Sequence, residues 1–223
     1  MELWVSVTRA WEVLATIAGA IVVAELAGYG LHRLLHSGRF PLLSRGHLIH
    51  HLEQYGPNQP MRSEKYCNAT EGRASLGNIG MEWVVPSAAI LGACWLLLWG
   101  IGVAWPYQCL AMVVLLGWPV LMFSYLHDRM HLKNFWMERV PLLKIWFLQA
   151  RRMHDIHHRS MDNSGRMDRN FGIGFFFFDR IFRTLAKRHR PFNWNGYRAA
   201  LQRHRERVEN DEEFSHFPRG YRL

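Results

Sequence analysis

The sequence predicts an all-α integral membrane protein with about three transmembrane helices and a helical, histidine-rich site at one membrane face. Three observations predict this architecture. Residues 83–126 contain no Asp, Glu, Lys or Arg over 44 positions, enough for two spans of roughly 20 residues each. A further apolar stretch lies near the start of the chain. Ten of the thirteen histidines fall in four windows of five residues, outside the cores of these stretches.

The first apolar stretch covers residues 3–31 and is interrupted by Glu12 and Glu25. Its uninterrupted core is shorter than a membrane span requires, so the stretch alone also suits a buried helix. The second and third stretches form a hairpin that turns near Gly100 and Gly102. Their outer ends therefore lie on one side of the membrane, and a spanning first helix ends on that side too.

Positive charge is concentrated in the polar segments. Residues 32–80 and 127–223 together carry a net charge of +12, whereas the whole chain carries +9. Cytoplasmic segments of membrane proteins are enriched in Lys and Arg, so we expect all four histidine windows on the cytoplasmic face and the N-terminus opposite. The predicted location is a bacterial inner membrane, or the endoplasmic reticulum in a eukaryote. Basic residues placed beside apolar spans favour this interpretation over nucleic-acid binding.

The polar remainder of the chain divides at about residue 190. We predict one membrane domain over residues 1–190, which contains every histidine window, and a polar, charged C-terminal tail over residues 191–223. Residues 52–80 have the proline and glycine content of a connecting loop. Residues 135–152 and 171–187 mix apolar and cationic side chains, which fits either helices at the membrane interface or ordinary core packing.

The spacing within the histidine windows is typical of metal-binding helices. Side chains three or four residues apart lie on one helix face and point toward one spot. Without a metal, ten crowded imidazoles would leave many buried nitrogens without partners. Two metal ions would each receive about five nitrogens, which leaves one octahedral position for oxygen or water, although imidazole alone does not distinguish iron, zinc, copper and nickel. The predicted ligands are His32, His36, His47, His50, His51, His127, His131, His154, His157 and His158.

Several side chains near the windows are candidates to orient these ligands. A metal-bound histidine usually gives its second N–H to a carboxylate or a carbonyl. Two aspartates directly follow a window histidine, but sequence neighbours occupy different helix faces, so each is expected to orient a histidine of another window or to cap a helix. An intramembrane carboxylate seven residues before His32 is a further functional candidate. The candidates are Asp128, Asp155, Asp168, Asn170 and Glu25.

The order of the motifs along the chain resembles that of a known protein family. The chain contains HRLLH (32–36), HLIHH (47–51), HDRMH (127–131), HDIHH (154–158), RNFG (169–172) and FDRIFRT (178–184). This order resembles the fatty acid hydroxylase/sterol desaturase superfamily of integral-membrane, histidine-cluster di-iron oxygenases, over about residues 25–187. Members typically end with a segment such as NYG followed by WDRLFGT. Here Phe171 stands in place of the tyrosine and Phe178 in place of the tryptophan.

The resemblance implies O2-dependent hydroxylation or desaturation of an unactivated C–H bond in a lipid of the fatty acyl, sterol or sphingolipid type. It also implies two iron ions, for which zinc can substitute in purified material, and no catalytic side chain beyond the metal ligands. The sequence has no haem-binding C-x-x-C-H and no flavin-type G-x-G-x-x-G motif. A separate ferredoxin- or cytochrome-type electron donor is therefore expected, and the basic C-terminal half would attract an acidic one.

Three alternatives remain open from the sequence. Carotenoid hydroxylases resemble the later motifs but usually begin with H-x-x-x-x-H, whereas His32 and His36 are four residues apart. A non-catalytic dihaem electron carrier would place its axial histidines within spans on facing helices. A metal-binding transporter or buffering protein would need polar residues along a transmembrane path, and residues 83–126 contain almost none.

Overall fold

The computed structural model describes residues 2–69, 75–76 and 79–210, and this part of the chain is mostly helical. The prediction of an all-α membrane protein is confirmed in its main features. One small departure is an antiparallel pairing of two-residue strands, β1 (Ser75–Leu76) with β2 (Ile79–Gly80), inside the predicted connecting loop. The α-helices are α1 (Glu2–Leu35), α2 (Pro41–Ile49), α3 (Val84–Gly100), α4 (Trp105–Pro119), α5 (His127–Met130), α6 (Pro141–Arg159), α7 (Phe177–Ile181) and α8 (Trp194–Asn210).

Within the described residues, three helical segments are long and apolar enough to cross a membrane: Arg9–Leu35, Met81–Gly100 and Trp105–Met130. The first contains the stretch that the sequence left open between a span and a buried helix. The helix α3 buries none of its side chains against the rest of the described protein, as expected for a helix that faces lipid. The turn between the second and third segments contains Gly102 with a φ of 77°, a left-handed conformation that glycine adopts without strain.

The main contact between the spans joins α1 to α4. Ala20, Ala24 and Gly28 recur at every fourth position of α1, and both alanines are buried. A Cβ added at Gly28 would collide with the ring of Phe123. Small residues at this spacing let helices approach closely in a membrane, where close packing is the main source of association.

Two widened, π-helical turns lie beside predicted ligands. Residues Val120–Leu126 follow Pro119 and lead directly into His127. Residues His50–Gln54 follow α2 and themselves contain two of the predicted ligands. A π-turn inserts an extra residue into a helix and so changes the direction of the side chains around it. Both turns therefore make the nearby histidine side chains point in directions that differ from those in a regular α-helix.

Two clusters of buried apolar side chains pack around the histidine region. The first lies between the end of the third span and α6, and contains Met122, Leu126, Met130, Phe135, Phe147, Ala150 and Ile173. The second lies between α1, the 50–54 turn and α8, and contains Tyr29, Leu52, Met161, Met167, Phe171 and Ala200. Together these clusters hold the ends of α1, the third span and α6 in contact.

Residues 194–210, part of the segment predicted to be a polar tail, form α8. Tyr197 donates a hydrogen bond to the carbonyl of Leu52 at 2.7 Å, and Ala200 is buried. His204 lies 3.1 Å from the carboxylate of Glu53. This helix therefore packs on the histidine-bearing 50–54 turn. The domain boundary at residue 190 stays a prediction, and residues 211–223 lie outside the described part of the chain.

Candidate metal centre

The ten predicted histidines come together in two groups of five. In each group, the candidate ligand atoms all lie within 4.8 Å of one another. Group one contains His32, His36, His47, His51 and His157. Group two contains His50, His127, His131, His154 and His158. Each group therefore draws on both the first half and the second half of the chain.

Two windows contribute to both groups. On α6, His154 and His158 belong to group two, whereas His157 belongs to group one. Positions i and i+4 of an α-helix differ by roughly 40° around the axis, whereas i+3 and i+4 differ by roughly 100°. The window 47–51 divides in the same way. An H-x-x-H-H sequence thus supplies two adjacent sites rather than one, which corrects the expectation that all three rings of a window point to one spot.

Burial favours the neutral form of the group histidines that lie outside the apolar spans. Nine of the ten are buried, and His47 is partly buried. Burial lowers the pKa of His157 to about 4. Burial also lowers the pKa well below its ordinary value in the other group histidines outside the apolar spans, namely His36, His47, His50, His51, His131, His154 and His158. A neutral imidazole offers a lone pair, which is the form that binds a metal ion.

Backbone carbonyls fix the orientation of four of these rings. In group one, Nδ1 of His32 lies 2.6 Å from the carbonyl oxygen of Phe171, and Nδ1 of His157 lies 2.6 Å from that of Arg169. In group two, Nδ1 of His131 bonds the carbonyl of Pro60 at 2.8 Å, and Nδ1 of His158 bonds that of Tyr55 at 3.1 Å. A carbonyl can only accept a hydrogen bond, so each Nδ1 carries the proton and each Nε2 keeps its lone pair.

The Nε2 atoms inside each group are close together. His36 Nε2 lies 2.8 Å from that of His47 and 3.1 Å from that of His157. His154 Nε2 lies 2.9 Å from that of His131 and 3.1 Å from that of His158. One imidazole proton can serve only one of its two contacts, so nitrogen lone pairs face each other. Among the described residues, Nε2 of His32, His50 and His51 has no hydrogen-bond partner at all.

These distances fit a metal ion in each group. Two nitrogens bound at about 2.1 Å to one ion and at right angles lie about 3.0 Å apart, whereas tetrahedral angles separate them by about 3.4 Å. The spacings of 2.8–3.1 Å match the right-angle arrangement. Five such nitrogens leave one octahedral position open. The residues present therefore fit a pair of octahedral ions better than a closed tetrahedral site.

The expected orienting side chains reach the two groups to different degrees. Asp128 lies 3.4 Å from Nδ1 of its own neighbour, His127, rather than facing away from it. Asp128 is also hydrogen bonded to Tyr66, whose hydroxyl lies 3.2 Å from Nδ1 of His50. Through Tyr66 it therefore reaches a histidine of another window. Burial, together with the nearby Asp128 carboxylate, raises the pKa of Tyr66 well above its usual value, so the phenol stays protonated.

Asp155 and Asp168 face basic side chains instead of the groups. Asp155 lies 3.3 Å from His189, and Asp168 lies 3.4 Å from Arg169 and 3.8 Å from Arg190. These contacts differ from the expected orientation of a ligand, because both carboxylates point toward partly exposed basic side chains.

Asn170 and Glu25 are both buried. Asn170 has a φ of 54°, and its amide bonds the carbonyls of Met153 and Ala186 and the N–H of Ala186. It therefore holds the backbone between Arg169 and Phe171, whose carbonyls bind group one. Glu25 accepts a hydrogen bond from the indole of Trp118 at 2.7 Å, within the apolar spans.

Sequence reasoning missed three side chains that support the groups. Tyr55 is fully buried, and its ring centroid lies 4.1 Å from that of His131. Tyr66 links His50 to Asp128, and Asp179 is fully buried behind group one. The two tyrosines lie in an irregular connector that has no periodicity to reveal them. Asp179 could have been found from the sequence, because it is the single acidic residue between Phe175 and Ile181, in an otherwise largely aromatic run.

Together, the fold and the site define a helical membrane protein with two adjacent histidine groups that could each hold a metal ion. Residues 77–184 match the family model described as fatty acid hydroxylase. This match confirms, for residues 77–184, the resemblance to the fatty acid hydroxylase/sterol desaturase superfamily noted from the motifs. The segment includes windows 127–131 and 154–158, and the structure adds the two earlier windows to the same centre. Comparisons with curated proteins and with solved structures found no significant match.

Proposed function

We propose that the protein is a membrane-bound di-iron oxygenase that hydroxylates or desaturates an unactivated C–H bond of a lipid. The lipid is of the fatty acyl, sterol or sphingolipid type, and the co-substrates are O2 and two electrons from a separate redox protein. The observation that carries this proposal is the pair of five-histidine groups at the ends of membrane spans. The family match of residues 77–184 supports the oxidoreductase assignment.

Iron ions bound in the two groups would supply the oxygen chemistry. The chain's own contribution begins with holding ten imidazoles in place, and burial favours the neutral, metal-binding form of those outside the spans. Carbonyls behind His32, His131, His157 and His158 keep the Nε2 atoms directed inward. The five histidines of each group would hold one ion. Five nitrogens and no thiolate favour iron over a structural zinc site.

The position of the groups suits a substrate that stays in the bilayer. His32 lies in the last turn of α1, and His127 begins the last turn of the third span. A lipid tail between these helices could reach the centre without leaving the apolar region. The side chains of Phe171 and Leu126 are almost completely buried close by, and such apolar side chains exclude water from the site. The basic flanking segments support a cytoplasmic face for this end of the spans.

The electron donor is proposed to be an acidic protein that approaches from the aqueous side. An open cleft of about 430 Å³ is lined by seven residues, including Arg62, Lys65 and Lys133. The guanidinium of Arg62 lies 5.4 Å from the ring centroid of Tyr55, and the Tyr55 ring contacts that of His131 in group two. Complementary charge would speed the encounter with such a donor.

Comparison of lipid extracts tests this function. We expect mass spectrometry to show lipids with one added oxygen, or with two fewer hydrogens, in cells that produce the protein with iron available. Cells producing the His131→Ala variant at the same level are the control and should lack these products. Identical lipid profiles in the two strains, with the wild-type protein loaded with iron, would contradict the proposal. Activity with zinc in place of iron would contradict the assignment of the metal.

A further inference from the structure

The carboxylate of Asp179 lies at the centre of a buried hydrogen-bond network behind group one. Its side chain has no solvent-exposed surface. Oδ1 accepts hydrogen bonds from the N–H of Phe171 at 2.8 Å and from the hydroxyl of Thr184 at 2.7 Å. Oδ2 accepts one from the N–H of Gly172 at 2.8 Å. Both carboxylate oxygens therefore accept hydrogen bonds. Two of the three bonds come from the backbone N–H groups of Phe171 and Gly172.

The bond to Gly172 has a specific consequence for His32. The N–H of Gly172 and the carbonyl of Phe171 belong to one peptide unit. That carbonyl binds Nδ1 of His32 at 2.6 Å. Asp179, the 171–172 peptide and His32 therefore form a continuous chain of hydrogen bonds, in which the carboxylate lies at one end and the imidazole at the other.

Such a chain changes what the imidazole can do. Hydrogen bonds to an ionised carboxylate are stronger than neutral ones, and hydrogen bonds in series polarise one another. A carboxylate behind a metal-bound histidine fixes its tautomer and makes it a better ligand. Here the negative charge acts through one peptide instead of touching the ring. The same bonds also hold the carbonyl in a single position.

We propose that Asp179 is a positioning residue for group one, acting on His32 through the Phe171–Gly172 peptide. This inference rests on the proposed use of the histidines as metal ligands. In group two, His131 and His158 are held by the carbonyls of Pro60 and Tyr55, which belong to a different segment. Removing the charge of Asp179 therefore weakens the binding of the ion in group one and leaves the binding of the ion in group two unchanged.

The test is a titration of the metal-free, full-length protein in detergent with Co2+, whose absorption reports the number of nitrogen ligands. The wild-type protein should bind two ions. Asp179→Asn keeps the size of the side chain but removes its charge and one acceptor oxygen. We expect it to bind one ion with wild-type affinity and the other about 10–100-fold more weakly, as is typical when a partner behind a metal ligand is lost.

Asp162→Asn is the matched control. The Asp162 carboxylate also accepts hydrogen bonds from a backbone N–H, that of Arg166, and from a hydroxyl, that of Ser164. None of its hydrogen bonds involves the 171–172 peptide. The control variant should bind both Co2+ ions with wild-type affinity, so a general effect of removing a bonded aspartate would be visible as weakening in this variant as well.

A double variant separates positioning from general support of the fold. If Asp179 acts through His32, adding Asp179→Asn to His32→Ala should cause no further weakening of the group-one ion, because effects along one path are not additive. Should Asp179→Asn fail to fold, Thr184→Val removes one hydrogen bond to Oδ1 and should weaken the same single ion to a smaller extent.

Equal weakening of both ions, or unchanged binding of both in Asp179→Asn or Thr184→Val, would overturn the inference. A wild-type protein that binds two Co2+ ions but oxidises no lipid when loaded with iron would instead refute the proposed function and leave this inference standing. The two failures are therefore distinguishable.

Discussion

Group one and group two contain five histidines each, but different parts of the chain hold them. The carbonyls that orient group one belong to residues 169–171, which follow α6. Those that orient group two belong to residues 55–60, which follow the first π-turn. Group one has the carboxylate of Asp179 behind a peptide, and group two has Asp128 beside His127 and Tyr66. Two metal sites that share helices therefore have separate supports, and each can be perturbed alone.

The largest expected effects come from removing one ligand of either group. His157→Ala should weaken or abolish metal binding in group one, and His131→Ala should do the same in group two. Each variant leaves only four nitrogens to bind the buried metal ion. We expect both variants to lose lipid oxidation, since the reaction needs both ions. Metal analysis and the lipid assay measure the two effects. Full activity in either variant would refute the ligand assignment.

His204→Ala is the control for these two substitutions. His204 is also buried and lies 3.1 Å from the carboxylate of Glu53, but it belongs to neither group. The variant should bind as much metal as the wild-type protein. If it lost metal to the same extent as His157→Ala, burial rather than ligation would explain the effect.

Acid should destabilise the metal-free protein through the same histidines. Burial lowers the pKa of His157 from 6.5 to about 4 in the folded state, so below pH 6.5 the unfolded chain binds a proton that the folded chain does not. The free energy of unfolding therefore falls as the pH drops from about 6.5 toward 4. The pKa values of His51 and His154 shift in the same direction. Thermal unfolding at pH 7.5 and pH 5 measures this, and an unchanged midpoint would contradict it.

Asn170 should matter more than its neighbour Asp168. Replacing Asn170 by Ala removes hydrogen bonds to Met153 and Ala186, and each buried partner left unsatisfied costs about 1–3 kcal/mol. We expect a lower unfolding midpoint and weaker metal binding in group one. Asp168→Asn removes only partly exposed ion pairs with Arg169 and Arg190, worth about 0–1 kcal/mol. Equal effects of the two substitutions would contradict the assigned role of Asn170.

The smallest effect is expected for Tyr66→Phe, which tests group two as Asp179→Asn tests group one. The change removes the hydroxyl between His50 and Asp128 but leaves five histidines in place. We expect the group-two ion to bind roughly tenfold more weakly, which is the lower end of the range for the loss of a partner behind a metal ligand. The affinity of group one should be unchanged. Tyr197→Phe removes a hydroxyl that binds the Leu52 carbonyl and should leave both ions unaffected. Weakening of the group-one ion by Tyr66→Phe would show that the supports are shared.

Much of the fold could be predicted from the sequence because the features that indicate it lie within short, continuous stretches of the chain. Residues 83–126 lack charge over enough length for two spans, and the structure contains both helices. The ten histidines were found from spacing alone, and the structure brings all of them together. Spacing gives the helix face on which a residue lies, and that was sufficient to select these side chains.

The division into two groups could not be predicted, because it depends on where the helices meet. His157 and His158 are neighbours on α6, yet one faces α1 histidines and the other faces His131. The supports were missed for the same reason. Asp179 reaches Phe171 and Gly172 through a loop whose path has no periodic signal. Asp155 was expected near a ligand but faces His189, a contact across 34 positions of sequence.

The most direct test of the paired metal centre is the number of iron ions in one chain. Native mass spectrometry of the full-length protein, purified in detergent from iron-supplied cells, measures this number without relying on activity. Two iron ions per chain are predicted, falling to fewer than two in His131→Ala and in His157→Ala. A wild-type protein that takes up only one ion, or none, under these conditions would contradict the assignment of group one and group two as two metal sites.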